Sequence, residues 1–407
     1  MRIIRPFVFL LLISVVLYSL LDACTIAVVS GRFTRDGRPL LWKHRDTGQL
    51  QNALLYFNTG KYPFVGLIDA SDSLRQAVWV GCNSAGFAIM NSQSYNLILK
   101  DTVALKDQEG IVMKLALERC ATLEEFEALL RELPRPLGCE ANFGVIDARG
   151  GAAFYEVDNF TFRKLDVNDP AVAPFGYLVY TNFSFTGDMN RGMGQIRYAT
   201  ANRLFYDAYQ KREITPQFIL QEGSRCLIHS LTKIDLRTLD DGTNDDPIFS
   251  FFEDFIPRYS SASSVVIQGV RKDESPDFTT MWTVLGFPLT SVVTPVWVSG
   301  GAELPSILTP GNGGLALQCN RAITLKSRLF PITYSYGSRY IQVKELYNRK
   351  GTGILQRLKP LEDKIFLEAG TRLELWRRDQ NHKKEIPKFY RWLEETVQAE
   401  YRALFRL

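Results

Sequence analysis

The junction around Cys24 is the feature that most constrains this chain, because an apolar leader ends there and a strand-like segment begins. Arg2 and Arg5 precede a nearly continuous apolar run over residues 6–21, and Ala23 places a small residue directly before Cys24. A basic start, an apolar middle and a small residue at the cut are the three parts of a secretory signal. We therefore predict that residues 1–23 are a signal peptide and that the mature chain begins at Cys24.

Two other interpretations of the leader stay open at this stage. An uncleaved membrane anchor is the first, although a helix that spans a bilayer needs about 20 apolar residues and this run is shorter. A lipoprotein signal is the second, and it would attach lipid to Cys24. Leu21 and Ala23 suit that pattern, whereas Asp22 suits it poorly. The signal peptide predicts a periplasmic or extracellular protein, and the lipoprotein signal predicts one anchored by lipid through Cys24.

The composition argues against a nucleic-acid partner and in favour of a packed globular protein. Of the 407 residues, 46% are hydrophobic and 23% are charged, which suits one large domain or two ordinary ones. The net charge of +4 falls to +3 when residues 1–23, with two arginines and one aspartate, are removed. No basic stripe interleaved with aromatic residues compensates for this weak charge. We expect no nucleic acid and no stable membrane insertion after signal removal.

The cysteines and histidines do not form a recognisable metal motif. The six cysteines contain no Cys-x-x-Cys pair, and the three histidines are far apart in the sequence. A zinc site and a serine–histidine triad are therefore poorly supported, and we expect no metal and no cofactor. A bridge between Cys120 and Cys139 is one pairing among those that the sequence leaves open.

Hydrophobic periodicity predicts strands, then helices, then strands again. Strands are predicted at 25–30, 40–42, 77–80, 87–90, 142–146, 153–157, 177–180, 264–268, 280–285 and 292–298. Helices are predicted at 111–120, 123–133 and 197–209, with another starting at Pro216. This order favours an α+β layered fold over a doubly wound sheet.

The C-terminal segment over residues 386–407 is predicted to be an amphipathic helix that packs on the domain. Its apolar residues recur at helical spacing and share one stripe: Ile386, Phe389, Tyr390, Leu393, Val397, Tyr401 and Leu404.

A cysteine at the first position of a mature chain would combine a nucleophile with its own base. A thiolate is a strong nucleophile but needs a proton acceptor to form near neutral pH. A free α-amine has an ordinary pKa of about 8, so it can accept the thiol proton and later deliver it to a leaving amine. No histidine is required for this chemistry.

Four short segments, the first of which begins at Cys24, occur in a specific order along the chain. They are the opening Cys24-Thr25 with Asp36–Leu41 and Lys43–Asp46, then Gly81–Asn91, then Tyr180-Thr181-Asn182, then Arg197-Tyr198. Their order resembles the N-terminal-nucleophile (Ntn) amidohydrolases of the choloylglycine hydrolase, penicillin V acylase and acyl-coenzyme A:6-aminopenicillanic acid acyltransferase group. Weaker similarity over 261–266, 286–288 and 295–297 extends the resemblance to about residue 297.

The resemblance implies a four-layer αββα sandwich with an extra C-terminal helical segment. We accordingly predict a signal peptide at 1–23, a catalytic domain at 24–340 and an extension at 341–407. The family also forms oligomers, so a homo-oligomer is a further expectation.

The same resemblance implies roles for six site residues. Cys24 is the nucleophile and, through its amine, the base, while Asp46 holds and orients the α-ammonium. Asn91 and Asn182 flank the scissile bond, where a side-chain N–H would stabilise the oxyanion. The two remaining residues are Arg197, which braces the site, and Lys43, which stands where relatives often carry arginine. In an extended strand Lys43 and Arg45 share one face, so Arg45 is an alternative cation.

The function that the resemblance implies is hydrolysis or acyl transfer at a linear amide C–N bond of a small molecule. Candidate substrates are N-acyl amines, acylated amino acids and penicillin-like or bile-salt-like amides. An N-terminal-cysteine dipeptidase and a lipid-anchored surface protein without catalytic activity are the two alternatives.

Overall fold

The computed structural model describes residues 23–98, 103–311 and 314–407, so the predicted signal peptide lies outside the described residues except for Ala23. The strand that carries Cys24 belongs to a six-stranded antiparallel sheet. Its strands are β1 (Ala23–Val29), β2 (Leu40–Asp46), β10 (Tyr177–Tyr180), β12 (Ser261–Gln268), β13 (Thr280–Leu285) and β14 (Val293–Val296). Their spatial order is β10-β1-β2-β12-β13-β14, which puts β1 and β2 inside the sheet.

A second antiparallel sheet has seven strands in consecutive order. They are β3 (Asn52–Phe57), β4 (Phe64–Asp69), β5 (Val80–Asn83), β6 (Ala88–Gln93), β7 (Ala141–Ile146), β8 (Ala152–Val157) and β9 (Phe162–Asp166). Two short strands, β11 (Phe249–Phe251) and β15 (Tyr340–Gln342), pair with each other apart from both sheets.

The two sheets pack face to face, and the main core lies between them. β1 and β2 contact β6 and β7 across this interface. At its centre, a Cβ on Gly144 would meet Met90 of the same sheet and lie 2.9 Å from Val28 Cγ2 of the other. Glycine at this position therefore allows the sheets to approach closely.

Helices cover the outer face of each sheet. They are α1 (Glu109–Arg119), α2 (Leu123–Glu132), α3 (Gln195–Lys211), α4 (Pro216–Phe218), α5 (Leu317–Leu329), α6 (Val343–Leu346), α7 (Ile354–Asp379) and α8 (His382–Phe405). α1 packs on β5 and β6, whereas α3, α5 and α7 pack on strands of the first sheet. The layers are therefore α, β, β and α, which confirms the predicted fold class.

The C-terminal helices are fixed to the first sheet by buried polar contacts. Glu362 of α7 pairs with Arg225 and accepts a hydrogen bond from Val293 N at 2.9 Å. The Tyr390 hydroxyl of α8 accepts a hydrogen bond from Trp297 N at 2.9 Å. The predicted apolar stripe of α8 is buried except for Leu404, which is half-buried. The division into residues 24–340 and 341–407 stays a prediction.

Three strands of the second sheet, β3, β4 and β9, were not predicted. β2 is also longer than the predicted strand at 40–42, because it continues through Lys43–Asp46. Among the described residues, no helix combines the length and apolar character that crossing a membrane requires.

Candidate active site

Cys24 is the second residue of β1, and its thiol faces the second sheet. Residues four apart on a strand share a face, so Cys24 points to the same side as Val28, which packs over Gly144. Cys24 is 7% exposed and lines a cavity of about 100 Å³. Because the described chain includes Ala23, the Cys24 nitrogen is a peptide N–H that stands in for the α-amine of a chain beginning at Cys24.

Asn182 and Arg197 hold the backbone of Cys24 from the opposite side. The Cys24 N–H donates to Asn182 Oδ1 at 3.1 Å, and Arg197 Nη2 donates to the same oxygen at 2.9 Å. Arg197 Nη1 donates to the Cys24 carbonyl at 2.8 Å and to Thr25 Oγ1 at 3.0 Å. Asn182 Nδ2 in turn donates to the Gln93 carbonyl at 2.9 Å. Asn182 thus presents its oxygen to the Cys24 nitrogen, and Arg197 braces both residues.

Gly194 makes room for the Arg197 guanidinium at the start of α3. Its φ is +84°, in the left-handed region that glycine adopts without strain. A Cβ at this position would collide with Arg197 Nη2 and lie 2.9 Å from Thr181 Oγ1. Burial lowers the pKa of Arg197 to about 10, so the side chain is still a cation at neutral pH.

Lys43 and Asn91 form a hydrogen-bonded pair beside Cys24. Lys43 Nζ donates to Asn91 Oδ1 at 2.6 Å, and both residues line the Cys24 cavity. Because the oxygen of Asn91 accepts from Lys43, its N–H₂ group remains available as a hydrogen-bond donor. This geometry suits the predicted oxyanion contact at Asn91.

Arg45 shares the cavity face with Lys43 as strand periodicity predicted, but its charge is neutralised elsewhere. Its guanidinium forms two hydrogen bonds with Asp69, at 2.7 and 3.1 Å. It also lies 4.8 Å from the centre of the Trp79 ring, whose Nε1 donates to Asp69. Arg45 therefore helps to build the cavity wall.

Asp46 ends β2 and is fully enclosed by polar contacts. Arg258 Nη2 and Nε donate to Oδ2 at 2.9 and 3.2 Å, and Ser261 Oγ donates to Oδ1 at 2.5 Å. Arg258 Nη2 also lies 3.5 Å from the carbonyl of Ala23, directly before Cys24. Asp46 lines the Cys24 cavity, and in register it lies opposite Ala23. The carboxylate is thus anchored by Arg258 and Ser261 opposite Ala23, the residue before Cys24.

His44 lies on the other face of β2 and is completely buried. Its Nε2 lies 2.9 Å from Ser261 Oγ and 3.6 Å from Asp46 Oδ1. Burial lowers the pKa of His44 to about 4, so the ring is neutral in the folded protein. Its position away from the cavity agrees with a mechanism that needs no histidine.

Two acids of the α1 region complete the cavity. Glu109, the first residue of α1, is buried, and burial raises its pKa to about 7. Its Oε1 accepts a hydrogen bond from Glu140 N at 3.0 Å. Asp107 is exposed and adopts a φ of +58°. Neither acid was predicted as a site residue.

The other five cysteines, Cys82, Cys120, Cys139, Cys226 and Cys319, are buried free thiols. The open pairing between Cys120 and Cys139 is therefore not formed. Burial raises the pKa of the Cys82 and Cys120 thiols to about 12, raises that of Cys226 to about 11 and raises that of Cys139 further.

A family model described as acyl-coenzyme A:6-aminopenicillanic acid acyl-transferase matches residues 46–222. The match starts at Asp46 and contains Asn91, Asn182 and Arg197, while Cys24 and Lys43 lie just before it. In the fold, these residues surround the start of β1. The match covers somewhat less than half of the chain and agrees with the resemblance to the N-terminal-nucleophile amidohydrolase group.

Comparison with solved structures finds distant likenesses to this chain. An N-acylethanolamine-hydrolyzing acid amidase ortholog of Caenorhabditis elegans is 14% identical, covers 62% of this chain and 93% of its own, and has a TM-score of 0.41. A mutant of the conjugated bile acid hydrolase of Clostridium perfringens is 11% identical, with 67% and 92% covered and a TM-score of 0.41. Penicillin V acylase of Agrobacterium tumefaciens is 11% identical, with 68% and 86% covered and a TM-score of 0.37. No curated protein matches the chain.

Arg258 is the principal residue of this candidate site that sequence reasoning missed. It lies 212 positions after Asp46, its partner. The weakly similar segment that starts at Ser261 was recognised, but the arginine three residues earlier was not included. An arginine three residues before a serine-rich buried strand was the available signal.

Proposed function

We propose that the chain is exported, loses residues 1–23 and uses the Cys24 thiol to cleave a linear amide C–N bond of a small molecule. The acyl group would pass to water or to an acceptor amine. The observation that carries this proposal is the position of the Cys24 nitrogen, which is bonded to Asn182 while the thiol lines a cavity with Lys43 and Asn91.

In the first step the Cys24 α-amine accepts the thiol proton, and Sγ attacks the carbonyl carbon of the amide. Negative charge develops on the carbonyl oxygen, where the N–H₂ group of Asn91 donates and Lys43 supplies a nearby positive charge. Asn182 and Arg197 fix the Cys24 backbone so that amine and thiol keep their relative position.

In the second step the C–N bond breaks and the amine leaves with the proton from the Cys24 α-ammonium. The acyl group stays on Sγ as a thioester. Water or an acceptor amine then gives its proton to the α-amine and attacks the thioester, which releases the acyl group and restores the thiol. Asp46, anchored by Arg258 and Ser261, offsets the positive charge of the α-ammonium in both steps.

Mass spectrometry of the purified N-terminus combined with a substrate panel tests this proposal. We expect a chain that starts at Cys24 and an acyl adduct on Cys24 after incubation with phenoxyacetyl, acylated-amino-acid or bile-salt-like amides. Adding acceptor amines separates transfer from hydrolysis. A diacylglyceryl adduct on Cys24 would support the lipid anchor instead, and preferential cleavage of dipeptides would support the dipeptidase. Retention of Met1 would contradict the proposed maturation.

A further inference from the structure

Lys326 of α5 is a buried lysine beside the segment that anchors Asp46. Its side chain is 3% exposed, and α5 lies beyond the residues that match the family model. Nζ donates a hydrogen bond to the Tyr259 carbonyl. It also lies 3.9 Å from the centre of the Tyr259 ring and 5.2 Å from that of Phe287. Both rings therefore present their negative faces to the ammonium group.

Each residue of the turn from Arg258 to Ser261 makes its own hydrogen bonds to neighbouring groups. Arg258 and Ser261 bind the Asp46 carboxylate through their side chains. Within the turn, Ser261 N donates to the Arg258 carbonyl at 2.9 Å and Arg258 N donates to Ser261 Oγ at 2.8 Å. The Ser260 carbonyl accepts from Thr47 N at 2.9 Å. The Tyr259 carbonyl is the remaining acceptor of the turn, and Lys326 is its donor.

Lys326 has no carboxylate within 4.0 Å among the residues that the structure describes. Burial accordingly lowers the pKa of Lys326 to about 7, against the opposing attraction of Asp46 on β2 and Cys319 on α5. Other charged and titratable groups on α5 and on the segments that contact it include Arg321 and Arg328 on α5, Arg258 and Tyr259 in the turn, Tyr340 on β15, Lys344 and Glu345 on α6, and Tyr401 on α8. Glu345 is the carboxylate among them, and it pairs with Arg328.

We propose that Lys326, in its charged form, is a positioning residue that fixes the Arg258–Ser261 turn and thereby holds Asp46 in place beside Cys24. The proposal rests on the proposed role of Cys24 as the nucleophile. A neutral amine still reaches the Tyr259 carbonyl but loses its attraction to the ring faces and to Asp46. The turn then keeps its fold and holds Asp46 less firmly.

The charge of Lys326 gives this role a pH dependence with a definite sign. The ammonium is present below a pH of about 7 and is lost as the pH rises through that value. The difference in Cys24 reactivity between the wild type and a variant without this cation should therefore be largest at acidic pH. It should disappear once the pH is well above 7. An arginine at position 326 stays charged throughout this range and should preserve this difference.

The test is the rate at which iodoacetamide alkylates Cys24, resolved by mass spectrometry, from pH 5.5 to 9. It compares the wild type with Lys326→Met, Lys326→Arg and the control Arg328→Met, which removes a half-exposed cation from the same helix. At pH 6, Lys326→Met should react about tenfold more slowly than wild type, as expected for lost positioning. The ratio should approach one above a pH of about 8, and Arg328→Met should match the wild type throughout.

A ratio of one at pH 6, or a ratio that does not change with pH, would overturn the proposal, provided that circular dichroism shows a folded variant. If Lys326→Met does not fold, Lys326→Arg decides: its rate should exceed that of wild type above pH 8, and superimposable profiles would overturn the proposal. The assay needs no substrate. The ratio of the wild-type and Lys326→Met alkylation rates could depend on pH as expected while the wild type cleaves no amide. That outcome would contradict the proposed function and would still support the positioning role of Lys326.

Discussion

Arg258 donates two hydrogen bonds to Asp46, because its Nη2 and Nε lie 2.9 and 3.2 Å from the same carboxylate oxygen. The Asp46 side chain is fully buried, and that of Arg258 is 17% exposed. Ser261 occupies the other oxygen. The orientation of this acid, which lies opposite Ala23 in the sheet, is therefore set by a segment more than 200 residues later in the chain.

Replacing Asp46 with asparagine should reduce both stability and turnover. Arg258 would keep a mostly buried charge without its partner, which costs about 3 kcal/mol of unfolding free energy. Loss of the group that orients the α-ammonium should lower kcat by about 100-fold or more. Chemical denaturation and steady-state kinetics on an amide substrate measure the two effects.

The double variant Asp46→Asn/Arg258→Gln separates these effects, because it removes the unpaired charge as well. It should recover most of the lost stability and none of the turnover. Near-normal turnover in Asp46→Asn would mean that Asp46 does not orient the α-ammonium.

Gly194→Ala should impair the site without touching any residue that contacts substrate. A Cβ at this position would collide with Arg197 and displace its guanidinium from Cys24 and Asn182. We expect kcat to fall by about tenfold or more, because small displacements of catalytic groups are costly. Gly150→Ala is the matched control: Gly150 has a φ of +87°, and nothing lies within 4 Å of an added Cβ.

In both glycine variants, backbone strain at positive φ should lower the free energy of unfolding by about 1 kcal/mol. Only Gly194→Ala should lose turnover, measured at a temperature where both remain folded. Equal kinetics for the two variants would contradict the bracing role of Arg197.

Hydrophobic patterns predicted an α+β layered fold, and the four-layer αββα arrangement followed from the family resemblance, whereas α5, α6 and α7 were not predicted. β3 and β4 were not predicted because their apolar residues are consecutive and do not alternate with polar ones, as in Ala53–Phe57. Continuous apolar runs do not separate a buried strand from a helix. The end of β2 was not predicted because its four residues, Lys43–Asp46, are polar and yet buried.

The candidate site was accessible to sequence reasoning only where its residues lie in short segments that resemble the family. Lys43 and Asn91 are 48 positions apart, and the hydrogen bond between them depends on how the two sheets face each other. Arg258 and Lys326 lie still further along the chain. Their contacts with Asp46 and Tyr259 depend on tertiary packing, which local patterns do not encode.

His44 should make the protein sensitive to acid. Burial lowers its pKa to about 4 in the folded state, whereas an unfolded chain has an ordinary value near 6.5. Between these values the unfolded state binds more protons, so the free energy of unfolding should fall as the pH falls from 6.5 to 4. The expected loss is about 3 kcal/mol over this window.

His44→Asn should reduce this slope, because asparagine does not titrate. Urea denaturation at several pH values compares the variant with wild type and with a control, His229→Asn. The same slope in all three proteins would mean that other groups cause the acid sensitivity.

Cys24 should be the first of the six cysteines to react with iodoacetamide, and its alkylation should abolish turnover. Burial raises the pKa of the Cys82 and Cys120 thiols to about 12 and that of Cys226 to about 11, so these groups are almost entirely protonated at neutral pH. Cys24 instead lines a cavity together with Lys43 and Asn91.

At low reagent excess, peptide mass spectrometry should find label on Cys24 before any other site, and activity should decline in step with that label. Cys24→Ser should keep only a small fraction of the activity, because a hydroxyl is a much weaker nucleophile with the same base. The control Cys226→Ser should keep both the labelling rate and the activity. Earlier labelling of another cysteine, or turnover of a linear amide by Cys24→Ala, would exclude Cys24 as the nucleophile.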